Sequence, residues 1–222
     1  MVQAVGSYHG LVRTDVFPAL PEVLGRVLDL GGGVGATSGS LRREGRASYV
    51  VLADLVASES VEGVDCSYSG NLDDEDFLKK VITDTGPFDT ILALDVLEHL
   101  RDPWSVVQLL QTGLTPQGTI VASIPNVNYY GLVLPLVLRG RYDLQDHGIL
   151  DRTHIRWFAK HGAVELMSSS GLEIELVLPN IIPGGRRNRW LDRATFGFLT
   201  RFLALQYTIR SRNTASSSGS LM

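Results

Sequence analysis

A single cysteine among 222 residues, Cys66, allows no internal disulfide and offers no cluster to hold zinc. The amino terminus lacks a charged head followed by a long apolar core, so a signal peptide is not expected and a cytoplasmic location is. Long apolar runs are missing too: Leu132 to Leu138 is interrupted by Pro135 and too short to span a bilayer, which makes it a lid or core helix. No internal repeat and no nucleic-acid-binding motif is visible, and a nucleic-acid partner is not expected. What is present is ordinary for a folded enzyme-sized protein, with 44% hydrophobic and 20% charged residues and a net charge of -4. The length suits one sizeable α/β domain and would cramp two.

Strand and helix patterns alternate from Arg26 to Pro125, which predicts a mostly parallel sheet with helices on both faces. Strands are expected at Arg26 to Leu30, Tyr49 to Asp54, within Val61 to Ser69, at Phe88 to Asp95 and at Gly118 to Pro125. A helix is expected over Asp73 to Thr83, whose early acids and later Lys79 and Lys80 suit the macrodipole. Asp102-Pro103 forms an N-cap and N1 pair, so another should run from Pro103 to about Gly113. Past Pro125 the pattern loosens into an insert from Asn126 to about Phe158, and irregular inserts of this kind tend to carry function. A helix from Lys160 to Ser170 and strands at Leu172 to Leu178 and Leu205 to Ser211 follow, the two strands able to pair antiparallel. Asn213 to Met222 is serine-rich and expected to be a disordered tail, leaving residues 1–212 as the domain.

Charge is unevenly placed. From Asn180 onward Arg186, Arg187, Arg189, Arg193, Arg201, Arg210 and Arg212 face Asp192 alone. This basic region reads either as a solvated surface or as a contact for a phosphorylated substrate or an anionic membrane.

The segment Val27 to Ala36, V-L-D-L-G-G-G-V-G-A, sets a carboxylate two residues before a glycine cluster. Gly31, Gly33 and Ala36 satisfy the dinucleotide spacing G-x-G-x-x-G/A. A diphosphate, however, wants donors and positive potential, and Asp29 would repel it. S-adenosylmethionine brings an ammonium and a sulfonium, and Asp29 suits its amino acid end. Ligands in open parallel sheets bind beyond the carboxyl ends of the strands. Those ends nominate Asp29, Gly31, Gly33 and Gly35 from the first strand, and Asp54 with Leu55 from the second, where the acid can accept ribose hydroxyls. Asn71 and Leu72 after the third could bracket an adenine ring, and Leu94 and Asp95 close the fourth near the reactive end of the cofactor.

These tracts, with F-D-T-I-L-A-L-D-V-L-E-H-L-R-D-P-W and L-T-P-Q-G-T-I-V-A-S-I-P-N, resemble the class I S-adenosylmethionine-dependent methyltransferases, across roughly Tyr8 to Arg212. The tract R-Y-D-L-Q-D-H-G-I-L-D-R-T-H-I-R-W-F is similar to a subgroup associated with bacterial glycan and secondary-metabolite modification. The resemblance implies a Rossmann-like three-layer sandwich with a seven-stranded sheet whose last strand is antiparallel. It also implies a segment carrying Tyr8 and Arg13 folded over the cofactor. Gly32 stands where many relatives carry a side chain, and glycine there is expected to be tolerated, because the position mainly packs behind the loop.

Methyl transfer from a sulfonium is an in-line displacement that depends mostly on alignment. An oxygen acceptor also needs a base, for which His147 is the first candidate and His154 the second; loop anchoring is the alternative for His147 and the favoured reading for His154. Acceptor contacts are expected among Asn126, Tyr129, Tyr130, Arg141 and Trp157, which suit a sugar or aromatic ring on a small-molecule or glycan-linked acceptor. Asp95, Glu98 and His99 resemble the E-x-x-E-H metal element of small-RNA 2′-O-methyltransferases and ubiquinone-pathway O-methyltransferases. His147 would complete that set, although the same pair also occurs in relatives without metal, and a divalent metal is not the favoured expectation. N-methylation of an amine and a non-catalytic cofactor-binding subunit stand as the alternatives to O-methylation.

Overall fold

The structure, a computed structural model, describes residues 11–56, 62–181 and 199–214. Seven strands form one sheet in the order β3-β2-β1-β4-β5-β7-β6. They are β1 (Gly25–Leu30), β2 (Ala47–Asp54), β3 (Cys66–Ser69), β4 (Phe88–Leu94), β5 (Leu114–Pro125), β6 (Leu172–Ile181) and β7 (Ala204–Asn213). The first five pair in parallel, and β7 runs antiparallel to both β5 and β6. This is the expected Rossmann-like α/β sheet. Strand order reverses between β1 and β4, so the crevice beyond their carboxyl ends is where a ligand should sit.

Side chains alternate between the two faces of the central strands. Leu28, Leu30, Ile91, Ala93, Ile120 and Ala122 pack on one face with residues of α2 (Glu75–Thr85), α3 (Pro103–Thr112) and α5 (Lys160–Met167). Val27, Leu92 and Val121 pack on the other with Leu41 of α1 (Ala36–Arg43) and Ala19 of the 3-10 helix Thr14–Ala19. Helix starts follow the capping signals: Asp74 accepts the amides of Asp76 and Phe77, and Asp102 accepts that of Ser105.

Two expectations shift. β7 reaches Asn213, which is buried, and Thr214 donates its hydroxyl to the Gly171 carbonyl, so the fold extends past the expected start of the tail. Residues 215–222 lie outside the described residues. The apolar run around Pro135 does form a helix, α4 (Tyr130–Arg139), but Leu132 alone on it is buried, so it is not a core helix. A short α6 (Thr200–Leu203) precedes β7. Among the described residues no helix is long and apolar enough to cross a membrane.

Candidate active site

The glycine turn follows β1 directly. Gly31, Gly33 and Gly35 all adopt positive φ (66°, 59° and 67°), a region open to glycine at no steric cost. At Gly31 a Cβ would lie 2.3 Å from a methyl of Val96, so the missing side chain lets the turn close against the residues that follow β4. Asp29 is 1% exposed, and its Oδ2 has no hydrogen-bond partner. Burial pushes its carboxyl up to about 6; Ser38 pulls the other way, and the Asp54 charge adds to the rise. An enclosed acid with an unsatisfied oxygen beside the strand switch is suited to a cationic ligand group.

Glycine at position 32 fits closely against Asp29. A Cβ there would meet the Asp29 carboxyl at 2.3 to 2.7 Å, so the position makes the room in which that carboxyl lies. Gly32→Ala is therefore expected to lower stability by about 1–3 kcal/mol, a typical cost of overpacking. Urea unfolding of the two proteins checks this, and equal midpoints would refute it.

Asp54 ends β2 and ties the turn to it, accepting the Gly33 amide at 2.8 Å and the Val56 amide at 2.9 Å. The neighbouring Leu55 is exposed. Asn71 is exposed, with its side-chain oxygen accepting the Asp73 amide, while Leu72 packs on the core. Both line a cleft of about 510 Å³ between the starts of α2 and α3.

Asp95 follows β4 with φ +57°, in the left-handed region that aspartate tolerates better than most side chains. It is held by Arg13, which pairs with it, by Gln206 at 2.7 Å and by the Ser123 hydroxyl at 3.2 Å. Burial raises its pKa against the pull of Arg13. Arg13 also donates to Gln206, Ser123 and Asp15, and its amide bonds the Thr37 hydroxyl. Arg13 thus ties the upstream segment to α1, β5, β7 and the residue after β4; Tyr8 lies outside the described residues.

The metal set expected from Asp95, Glu98, His99 and His147 is not what the fold assembles. His147 is exposed in the insert, and Asp95 is taken by Arg13. His154 instead joins Glu98 and His99, with one ligand atom from each of the three lying within 4.8 Å of the others. The 3-10 turn Leu97–His99 supplies two of these residues, and the Glu98 carbonyl accepts the amides of Ile155 and Arg156, which docks the insert beside them. Glu98 is 1% exposed and neither carboxyl oxygen has a hydrogen-bond partner, so burial raises its pKa well above the usual range. His154 Nδ1 lies 3.0 Å from the Ile149 carbonyl and His99 Nδ1 3.2 Å from that of Thr153. A ring nitrogen tethered to a carbonyl is protonated, which leaves Nε2 with its lone pair. For His154 that atom is 3.8 Å from Glu98 Oε1. Burial and the nearby His99 also lower the His154 pKa, favouring the neutral ring. Two imidazoles and a buried carboxyl group whose oxygens have no hydrogen-bond partner fit a divalent cation, and the carbonyl tethers are the outer contacts that ligating histidines use. Loop anchoring, the favoured reading for His154, is also real: its Nδ1 serves both roles.

The expected acceptor residues divide. Asn126 is buried, donating to the carbonyls of Arg201 and Ala204 and accepting the Asn128 amide, so its side chain fastens the insert and is not free for an acceptor. The Tyr129 and Tyr130 rings touch at 4.7 Å between centroids, and burial with Tyr130 pushes the Tyr129 phenol up to about 12. Arg141 is exposed and paired with Asp143, and Trp157 is exposed beside Tyr142. Of the basic C-terminal region, Arg210 and Arg212 both pair with Glu175 and Arg201 lies over the Phe202 ring, while Arg186, Arg187, Arg189 and Arg193 lie outside the described residues. Sequence reasoning missed Ser123, marked only as the one polar residue in the run 120–125, and Gln206, which lies in a strand with several other polar residues and carries no such signal.

Known proteins share this fold. Solved structures of similar fold include an S-adenosylmethionine-dependent methyltransferase from Archaeoglobus fulgidus (TM-score 0.59, 14% identity, 89% of this chain and 91% of that one). A tRNA 5-carboxymethoxyuridine methyltransferase of Escherichia coli is 33% identical over 130 residues, 56% of this chain; the chain spans about half of that relative, 48%. A ubiquinone biosynthesis O-methyltransferase of Xanthomonas oryzae pv. oryzae is 30% identical over 214 residues, covering 90% of this chain and 82% of that protein. The model of the methyltransferase domain matches residues 11–177, from the segment that carries Arg13 through the glycine turn and the insert into β6. The chain belongs to that family and is an S-adenosylmethionine-dependent methyltransferase.

Proposed function

We propose that the protein methylates a hydroxyl oxygen of a small-molecule or glycan-linked acceptor, and that Glu98, His99 and His154 form the acceptor-activating group. The observation that carries this reading is the pair of orphaned Glu98 oxygens enclosed beside two tethered imidazoles. The name of the Xanthomonas relative supports an oxygen acceptor.

In the transfer, the acceptor oxygen forms a bond to the methyl carbon as the carbon–sulfur bond breaks. Its electron pair stays on sulfur, giving S-adenosylhomocysteine. The acceptor proton must leave as well. A divalent ion held by Glu98, His99 and His154 would supply Lewis acidity, making an acceptor hydroxyl more acidic. Asp29 holds the amino group of the donor, Asp54 its ribose, and Asn71 with Leu72 its adenine; the Arg13 and Asp95 cluster closes the donor's reactive end.

Release of S-adenosylhomocysteine across hydroxyl and amine acceptors, with and without a chelator, tests the reading. Hydroxyl turnover is expected to vanish on chelation and to return with a divalent ion. Chelator-insensitive turnover would remove the ion from the reading, and turnover of amines alone would replace oxygen by nitrogen. A non-catalytic subunit would bind the donor and turn over neither.

A further inference from the structure

We propose that α4 is an interfacial helix that seats the acceptor side of the protein on an anionic membrane surface. The helix is apolar almost throughout, yet Leu134, Leu136, Val137 and Leu138 are 50%, 42%, 73% and 74% exposed. Carrying that much aliphatic surface in water is unfavourable unless something covers it.

Charge on the segment selects the cover. From Asn126 to Tyr142 there is no acidic residue, and the charged side chains are Arg139 and Arg141. The acids that follow, Asp143 and Asp146, are paired with Arg141 and Arg152, whereas Arg139 has no ion-pair partner among the described residues. Tyr130 starts the helix, Tyr142 follows its end, and Trp157 packs on Tyr142, all three exposed. Amphipathic rings and an unpaired arginine at the ends of an apolar helix match the headgroup boundary of an anionic bilayer, with the aliphatic side chains reaching the acyl region. A protein partner would be met without needing an edge free of acids.

Position gives the docking a purpose. α4 begins just after the carboxyl end of β5, the end at which Ser123 and Asp95 line the crevice, and the bridge between Asn126 and Phe158 joins it to the stretch bearing His154. Resting on the proposed hydroxyl methylation, this makes the acceptor an amphiphile whose hydroxylated head enters the crevice while its apolar part stays in the lipid.

Sedimentation of the full-length protein with phosphatidylcholine vesicles, and with vesicles that also contain phosphatidylglycerol, tests the docking. Binding is expected to the anionic vesicles and to weaken with salt. The variant Leu134→Asp, Val137→Asp, Leu138→Asp changes only exposed positions and should lose at least about tenfold in vesicle affinity. Its calorimetric affinity for S-adenosylhomocysteine should be unchanged, which separates failure of docking from failure of the methyltransferase site. The proposal is overturned if the parent protein ignores anionic vesicles, or if the variant binds them equally well. It is also overturned if the parent is a dimer in ultracentrifugation that the variant splits, because α4 is then covered by a second copy.

Discussion

Glu98→Gln is expected to cut turnover by about a hundredfold or more while S-adenosylhomocysteine binds as before. Both carboxyl oxygens of Glu98 are enclosed without partners, so the fold bears the desolvation of this group and gains nothing from it in the absence of a cation. The raised pKa has a definite sign. The folded protein holds the proton to higher pH than the unfolded chain does, so stability is whole below the ordinary glutamate value and falls as pH rises through the folded value. A neutral amide removes that loss. Metal-free Glu98→Gln should therefore melt at a higher temperature than the parent at pH 8 and at a similar one near pH 4. Higher stability with lower activity is the signature of a group kept for chemistry. Calorimetric melting and S-adenosylhomocysteine release measure the two sides, and a variant that keeps its turnover would end the assignment of Glu98.

Asp29→Asn should show the same opposition at the donor. With burial the main cause, the carboxyl stands at about 6 against 3.8 in the open chain, an interval worth about 3 kcal/mol. That penalty is absent below about pH 4, builds through pH 6 and is complete above it. The variant is expected to gain up to about 3 kcal/mol at pH 8 and almost nothing at pH 4, less whatever its amide hydrogens lose in an enclosed place. Affinity for S-adenosylhomocysteine should fall by about tenfold to a hundredfold, the worth of a charged hydrogen bond to the amino group. Urea unfolding at the two pH values and titration calorimetry are the measurements. Unchanged donor affinity would show that Asp29 serves the turn and not the ligand.

The sheet and the donor side were readable in the chain because each depends on local pattern. Buried parallel strands are short apolar runs, and the acid and the glycines of the donor site lie at the ends of those runs, where position along the strand fixes position in space. Asp54 ends β2 and Asp95 follows β4, where this pattern puts them. The acceptor side was not readable to the same degree. His147 and His154 lie in a segment without periodicity, and what separates them is the pair of hydrogen bonds from Ile155 and Arg156 to the Glu98 carbonyl, a contact between distant parts of the chain. Asn126 looked like an acceptor contact because a fixed donor suits a sugar or aromatic ring, yet its amide is spent on the backbone carbonyls of Arg201 and Ala204. Burial of α4 could not be read either: an apolar helix has the same sequence whether it faces a core or a surface.

The bond between Arg13 and Gln206 joins residues near opposite ends of the described chain. During synthesis, then, the cluster of Arg13, Asp95 and Gln206 is complete only when β7 has emerged and inserted between β5 and β6. A nascent chain that already has the glycine turn, Asp54 and Asp95 still lacks Gln206, so the last strand of the sheet decides when the crevice beyond β4 first acquires its full set of polar contacts.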